Sequence, residues 1–116
     1  MGYAYAAEFL RRGQKVVICA IRAPADAVRA LKAKYGADAP IFGELCDVSD
    51  KSSVRKLAAS SQEKLGTVHY WINNAALNGG RKPFLEVSDE AIEAVVKVNM
   101  FGVLICTKVA MELMLE

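Results

Sequence analysis

Short runs of apolar and β-branched residues alternate along this chain with longer segments of helical periodicity. Runs of this length and composition predict strands that are buried on both faces, as in a parallel sheet. The predicted strands are Lys15–Ala20, Pro40–Cys46 and Val68–Asn73.

Helical patterns fill the intervals, and each ends at a glycine, the residue that most easily adopts a left-handed C-cap. The predicted helices and their closing glycines are Tyr3–Arg12 with Gly13, Ala25–Tyr35 with Gly36, and Lys51–Leu65 with Gly66. The alternation predicts an α/β fold with a doubly wound parallel sheet and right-handed crossovers. Such a fold begins with a strand, whereas this chain opens on a helix, so we expect the sheet to lack its first strand.

A last helix is predicted from Ser88, a good N-cap, to the end of the chain, with a bend near Gly102. Its apolar tract Met100–Leu115 contains charged residues, which favours a packed helix over a membrane span. Asn99 falls on the helix's apolar stripe. An amide in that position either binds a backbone group or a water molecule, or it faces a functional site.

Composition excludes several classes of protein. Of the 116 residues, 53% are apolar and 24% are charged, which is typical of one soluble globular domain. The net charge is +2, and the basic residues are dispersed, so no nucleic-acid footprint emerges. Cys19, Cys46 and Cys106 lie among apolar residues and are predicted to be reduced core thiols, not metal ligands. No targeting segment is visible at the N-terminus.

Polar and small residues follow the predicted strands, and they gather where the strands end. Parallel strands present their carboxyl ends at one edge of the sheet, where ligands bind in open α/β folds. The features expected at that edge are Arg22, the pair Asp47 and Val48, and the run from Asn73 to Ala76. Gly2, at the start of the first helix, would lie there too, with free N–H groups that attract phosphate. Taken singly, Asp47 could be only part of a helix cap and Arg22 only a surface charge.

The motifs NNAA, CDV and VNMFG together resemble those of the short-chain dehydrogenase/reductase family. The resemblance implies a Rossmann-type fold in which residues 1–116 form an incomplete NAD(P)-binding domain without its first strand and C-terminal half. It implies that Gly2 ends a glycine-rich pyrophosphate turn and that Asp47 and Val48 border the adenine. Asn73, Asn74 and Ala75 are then expected to line the cofactor cleft.

The resemblance also assigns Asn99 to the catalytic machinery, where it would order a water molecule linked to a catalytic lysine. Arg22 follows the first visible strand, and no acid occupies positions 19–23. An arginine there suits the 2′-phosphate of NADPH, whereas an acid would favour NADH. NADPH is therefore the expected cofactor, with NADH as the alternative.

Within the family, the segments around Trp71, Asn78, Pro83 and the Cys106–Thr107 pair resemble the chlorophyll b reductases of plants and algae. Those enzymes reduce a formyl group of the chlorin ring to a hydroxymethyl group. The resemblance implies chlorophyll b or chlorophyllide b as the substrate and a chloroplast, thylakoid-associated location. It also implies a homo-oligomer formed through the final helix.

Several residues depart from the family pattern. The pattern calls for a catalytic serine and a Tyr-x-x-x-Lys pair, but none of the four tyrosines in this chain has a lysine four residues later. We therefore expect this polypeptide alone to be inactive, because it lacks a proton donor for a carbonyl oxygen. Ala76 replaces a glycine, which predicts strain if that position needs a positive φ. Arg22 also lies one residue farther from its strand than the arginine in the family pattern.

Two functional hypotheses follow. The first is the N-terminal half of an NADPH-dependent carbonyl reductase of the chlorophyll b reductase type. The second is a catalytically inactive protein that acts by oligomeric association through its final helix or by binding a dinucleotide. The isolated chain is expected to aggregate, because a sheet without its opening strand leaves bare edges.

Overall fold

The computed structural model describes residues 1–115 and contains two strands and five α-helices within that range. A π-helical turn, Lys97–Gly102, joins the last two helices, and a 3₁₀ turn, Phe84–Glu86, precedes them. The elements in chain order are α1 (Gly2–Arg11), β1 (Val16–Ala20), α2 (Pro24–Tyr35), β2 (Ile41–Leu45), α3 (Lys51–Leu65), α4 (Asp89–Val96) and α5 (Val103–Leu115).

The predicted parallel sheet is confirmed by the pairing of β1 with β2. The two strands are parallel, with Val16 opposite Ile41 and Ala20 opposite Leu45. The ladder is continued at its ends by hydrogen bonds from Val16 N to the Pro40 carbonyl and from Cys46 N to the Ala20 carbonyl. The α/β class and the parallel arrangement therefore follow the sequence pattern.

The third predicted strand, Val68–Asn73, is wrong as a strand assignment. The segment belongs to a stretch without regular structure, and within residues 1–115 no backbone hydrogen bond involves it. A strand is defined by its ladder, and this segment has no neighbouring strand to pair with. Its residues carry the strand pattern, but the partner that the pattern requires is not beside them.

Helix boundaries agree closely with the sequence signals. The Asp50 side chain caps α3 by accepting from the N–H groups of Ser52 and Ser53 at 3.2 and 3.0 Å, and Ser88 caps α4 by accepting from Ala91 N at 3.3 Å. The three closing glycines have positive φ values, which are 74° at Gly13, 111° at Gly36 and 77° at Gly66. These are conformations that residues with a Cβ rarely adopt.

Helices cover both faces of the sheet, as a doubly wound fold requires. One core, on the side of α1 and α2, contains the buried residues Ala6, Leu10, Leu31 and Ile41. The other core, on the side of α3 and α5, contains Cys46, Val54, Leu57, Ala58, Cys106 and Val109. Leu31, Ile41 and Val54 are almost completely excluded from solvent.

The final helix forms one 27-residue unit, Asp89–Leu115, with a mean hydropathy of 1.6 in its most apolar stretch. By length and composition alone it could cross a membrane, but one face packs on α3 through Cys106, Val109 and Ala110. The bend predicted near Gly102 is the π-helical turn, which widens the helix for six residues.

Candidate functional site

A groove of about 800 Å³ lies between β1 and the segment Val68–Asn73. Helix α1 borders the groove on one face of the sheet, and α3 and α5 border it on the other. Six of the eight predicted site residues line it, namely Gly2, Arg22, Val48, Asn73, Asn74 and Ala75. The structure thus confirms the prediction that the strand ends and the start of α1 converge. It does not show what role each of these six residues has.

Gly2 and Asn74 contact each other at one end of this groove, and we call that end the groove mouth. A Cβ built on Gly2 would lie 2.9 Å from Nδ2 of Asn74, closer than real Cβ contacts come. Only glycine lets the start of α1 approach the Asn74 amide this closely. The first N–H groups of α1, which lack helical partners, therefore open beside a side-chain amide, as in sites for phosphate.

Arg22 is exposed at the groove mouth, and within residues 1–115 it makes no ion pair. Ala23 follows it in the left-handed conformation, with a φ of 42°, and Pro24 then starts α2. A left-handed alanine costs about 1–2 kcal/mol. The turn that carries Arg22 is thus bent sharply between β1 and α2.

Asp47 uses its carboxylate to hold its own turn. Its Oδ1 accepts from Ser49 N at 2.9 Å and from Ser49 Oγ at 2.7 Å, and both bonds lower the pKa of the carboxyl below its usual value. Its backbone N–H donates to Ser53 Oγ at 3.1 Å. Asp47 does not line the groove. This favours the alternative that Asp47 is only part of the cap before α3.

Val48, next to Asp47, contacts the final helix. A Cβ on Gly102 would lie 3.0 Å from the Val48 carbonyl oxygen and 3.1 Å from its side chain. Gly102 therefore lets the π-helical turn approach the loop after β2. Sequence reasoning placed a bend at Gly102 but missed this contact, for which a glycine inside an apolar helix was the available signal.

Asn73 is held between the segment it ends and helix α5. Its Oδ1 accepts from Trp71 Nε1 at 3.1 Å, and its Nδ2 donates to Thr107 Oγ1 at 3.0 Å. The amide is thus occupied on both sides by protein groups. Asn73 thus anchors the segment through its side chain, whereas the structure describes no side-chain hydrogen bond of Asn74 within residues 1–115.

Asn99 clamps the loop that follows the asparagine pair. Its Oδ1 accepts from Leu77 N at 2.8 Å, and its Nδ2 donates to the Leu77 carbonyl at 2.6 Å. The alternative of a backbone partner is therefore confirmed, but the expected burial is wrong because Asn99 is exposed. Its side-chain oxygen and nitrogen are both engaged by the Leu77 backbone.

Ala76 does not carry the strain that its replacement of a glycine suggested. Among the described residues Ala23 alone combines a side chain with a positive φ, so Ala76 has an ordinary backbone. The loop makes its left-handed turns later, at Gly79 and Gly80, with φ values of 69° and 91°. The NNAA run therefore needs no glycine at its fourth position here.

The three cysteines are free thiols, as predicted, but they are not all core residues. Cys46 and Cys106 are buried, whereas Cys19 is exposed and lines the groove. Solvent reaches Cys19 through the groove although protein surrounds much of the thiol, and this desolvation raises its pKa to about 12. A thiol that stays protonated at neutral pH is a poor nucleophile.

Comparison with known proteins identifies the family. The sequence profile of the short chain dehydrogenases matches residues 1–116, the whole of this chain. The chain belongs to the short-chain dehydrogenase family.

Two plant proteins are similar to this chain. The chlorophyll(ide) b reductase NOL, chloroplastic, of Arabidopsis thaliana is 43% identical over 118 residues, which cover 99% of this chain and 33% of that protein. Its namesake from Oryza sativa subsp. japonica is 38% identical over 117 residues, covering 98% of this chain and 34% of that protein. This chain spans about a third of the length of these two relatives.

Solved structures of proteins from the same family superpose on this chain. A short-chain dehydrogenase/reductase from Burkholderia phymatum in complex with NAD superposes with a TM-score of 0.86 and 32% identity, over 98% of this chain and 41% of that one. A variant actinorhodin polyketide ketoreductase with NADPH superposes with a TM-score of 0.83 and 28% identity, over 93% and 41%. The Rossmann-type fold expected from the motifs is therefore confirmed.

Proposed function

We propose that residues 1–116 form an incomplete NAD(P)-binding domain belonging to an NADPH-dependent carbonyl reductase. Its substrate would be chlorophyll b or chlorophyllide b, whose formyl group becomes a hydroxymethyl group. The observation that carries the proposal is the likeness to the plant chlorophyll(ide) b reductases over nearly the whole chain. The groove mouth supports it, because Gly2 and Asn74 form a close-fitting cradle where a dinucleotide would bind.

Each residue at the mouth has a distinct part in this proposal. The free N–H groups at the start of α1 bind the pyrophosphate, and the lack of a Cβ at Gly2 admits it. Arg22 is a free cation for the 2′-phosphate, which selects NADPH over NADH. Val48 and the turn held by Asp47 border the adenine. Asn74 and Ala75 form the floor on the nicotinamide side, and the dinucleotide supplies the hydride when it is bound.

Asn99 acts in this proposal as a positioning residue. Its side-chain amide is committed to Leu77, so any water molecule that it orders is held by its main-chain carbonyl. Turns of π-helix disturb the regular backbone ladder and occur often at functional sites. The serine and the Tyr-x-x-x-Lys pair that complete the chemistry would be supplied by polypeptide beyond Glu116, and residues 1–116 alone would be inactive.

The location and assembly of the protein follow from the same likeness. Both plant relatives carry the word chloroplastic in their names, so we place this protein in the chloroplast, in association with thylakoid membranes. A homo-oligomer through the final helix is supported by three exposed apolar side chains, Met100 (62%), Leu104 (64%) and Met111 (58%). Association without catalysis is therefore the second candidate function.

Dinucleotide titration tests the first candidate. We expect saturable quenching of Trp71 fluorescence by NADPH and weaker binding of NADH. Replacing Arg22 with alanine should weaken NADPH binding by roughly 10- to 100-fold, because a charge-assisted contact is lost, and should leave NADH binding unchanged. Arg29→Ala is the matched control, since Arg29 is exposed on α2 and pairs with Asp26. No saturable change at millimolar NADPH would refute cofactor binding.

Light scattering after size exclusion tests the second candidate. A Leu104→Glu change would place a charge on the exposed face of α5, so an oligomer formed there should become monomeric. Lys56→Glu, on the exposed side of α3 and away from the final helix, is the control for charge alone. Oligomers that survive Leu104→Glu would rule out this helix face as the interface.

A further inference from the structure

We propose that Asn78, together with Gly79 and Gly80, is a site of spontaneous covalent modification, at which asparagine becomes a mixture of aspartate and isoaspartate. The site lies in the loop between the segment Val68–Asn73 and α4. The reaction requires no enzyme and no reagent except water. The proposal rests on the geometry of this loop, so it does not depend on the proposed reductase activity.

The reaction at Asn78 is a ring closure followed by hydrolysis. The backbone nitrogen of Gly79 attacks the side-chain carbon Cγ, a bond forms between them, and the bond from Cγ to Nδ2 breaks. Ammonia leaves with the proton that the Gly79 nitrogen gives up, so nothing is oxidised or reduced. Water then opens the cyclic succinimide at either of its carbonyl carbons, which yields aspartate or isoaspartate.

The attacking nitrogen of Gly79 is unhindered and free of other contacts. Gly79 has no side chain beside this nitrogen, and its backbone is left-handed, with a φ of 69°. Among the hydrogen bonds described for residues 1–115, none has the Gly79 N–H as its donor. The nitrogen therefore does not have to leave a protein partner before it attacks.

The side chain of Asn78 is held and polarised by Gly80. The Gly80 N–H donates to Asn78 Oδ1 at 3.1 Å. Negative charge develops on this oxygen when the nitrogen adds to Cγ, so the donor is already directed at the atom whose charge it stabilises. Asn78 is exposed, and within residues 1–115 its Nδ2 makes no hydrogen bond that would retain the leaving group.

The other three asparagines of the chain are protected from this reaction. Asn73 and Asn99 use both polar atoms of their side chains in the hydrogen bonds described above. Asn74 has no such bond within residues 1–115, but it precedes Ala75, whose Cβ crowds the attacking nitrogen. Asn78 alone combines an unbonded amide nitrogen with a following glycine.

The two products differ in their effect, because the loop is held on both sides of Asn78. Before it, the Leu77 backbone is bonded to Asn99 at 2.8 and 2.6 Å. After it, Gly79 fits against Val95, since a Cβ built on Gly79 would lie 3.3 Å from Val95 Cγ2. Isoaspartate adds a methylene group to the main chain between these contacts, so the bonds to Leu77 weaken. Aspartate adds a charge but leaves the main chain unchanged.

Peptide mapping of the whole chain, incubated at submicromolar concentration in buffer and in urea, tests the proposal. Aspartate and isoaspartate are quantified at positions 78 and 99, and Asn78→Gln, whose longer side chain closes a ring far less readily, is the control. We expect folding to slow conversion of Asn99 by about 10- to 100-fold, because two hydrogen bonds must break first. Asn78 should convert at least as fast in buffer as in urea.

Slower conversion of Asn78 in buffer than in urea would overturn the proposal, because the folded loop would then protect the site. Equal responses of Asn78 and Asn99 to urea would overturn it too. The separated products test the effect on the loop. Hydrogen exchange at the Leu77 amide should rise about 10-fold in the isoaspartyl form and stay unchanged in the aspartyl form. Equal exchange in the two forms would contradict the assigned effect of isoaspartate.

Discussion

The two walls of the groove have similar sequences and different structures. Val16–Ala20 and Val68–Asn73 are both short apolar runs, and both satisfy the pattern of a buried strand. The first pairs with β2 over five residues, whereas the second has no ladder. Side chains hold the second wall instead, through Asn73 on Thr107 and Tyr70 on Phe9.

This difference shows that strand formation is a property of neighbours as much as of sequence. A backbone with free N–H and C=O groups becomes a strand only where another strand supplies partners. The segment Val68–Asn73 is held at both ends, by α3 before it and by the Asn73 and Asn99 contacts after it. Four sets of substitutions test whether the two walls and the elements around them depend on different interactions.

The largest effect is expected in the core beneath the paired wall. Leu31 is completely buried against β1 and β2 in the α1–α2 core, so Leu31→Ala should lower the free energy of unfolding by about 3 kcal/mol. Urea unfolding at submicromolar concentration, where bare edges associate least, measures it. Leu85→Ala is the control, since Leu85 is 98% exposed, and equal effects of the two changes would contradict the assigned core.

The second largest effect is expected at the two hydrogen bonds between Asn99 and Leu77, which hold the loop after Val68–Asn73. Asn99→Ala removes both hydrogen bonds to Leu77, which should cost about 1–2 kcal/mol locally and raise hydrogen exchange at the Leu77 amide roughly 10-fold. Asn78→Ala is the matched control, because the Asn78 side chain accepts only from Gly80 N among the bonds described for residues 1–115. An unchanged Leu77 amide in Asn99→Ala would contradict the clamp.

A smaller effect is expected at the hydrogen bond between Asn73 and Thr107, and it tests whether this bond anchors Val68–Asn73 to α5. A double-mutant cycle with Asn73→Ala and Thr107→Val should give a coupling energy of about 0.5–1 kcal/mol, the usual value for one exposed hydrogen bond. Valine keeps the shape of threonine, so Thr107→Val removes the hydroxyl with little loss of contact. Purely additive effects would mean that the unpaired wall is not anchored to α5 by this bond.

The smallest effect lies on β2, away from the groove. The Lys64 ammonium, and after it the Ser60 hydroxyl, which donates to Glu44 Oε1 at 2.7 Å, lower the pKa of the Glu44 carboxyl below its ordinary value. A lowered folded-state pKa contributes stability above pH 4.5 and loses it as the pH falls through the folded pKa. Glu44→Gln should therefore cost less than about 1 kcal/mol at pH 7 and nothing in acid.

Glu63→Gln supplies the comparison for Glu44, because Glu63 is exposed on the same helix that carries Lys64. Its effect on urea unfolding at pH 7 should be smaller, because the structure describes no ion pair of Glu63 within residues 1–115. If Glu44→Gln destabilised the protein equally at pH 7 and in acid, the contribution would come from packing and not from the ion pair.

Local signals in the sequence predicted the fold well where the responsible contacts are also local. Asp50 and Ser88 cap helices, and Gly13 and Gly66 adopt positive φ, because each of these choices is decided within a few residues. The convergence of Gly2 and Asn74 was predictable too, because parallel strands share a carboxyl edge.

Contacts between distant residues were not predictable from one sequence. The π-helical turn, the contact of Gly102 with Val48 and the engagement of Asn99 by Leu77 depend on how the last helix lies across the sheet. The missing ladder of Val68–Asn73 and the exposure of Cys19 depend in the same way on which segments lie beside them, and one sequence does not state that. Hydrophobic periodicity is a property of each segment by itself, and it does not tell which strands lie next to one another.

Amide hydrogen exchange along the two walls distinguishes a paired strand from an unpaired segment. We expect slow exchange at Val16, whose N–H is bonded to Pro40, and fast exchange throughout Val68–Asn73, where no backbone partner exists among residues 1–115. Val17 should exchange faster than Val16, because its N–H faces the groove. Protection of Val68–Asn73 equal to that of Val16 would contradict the account, since it would mean that a ladder already joins the two walls.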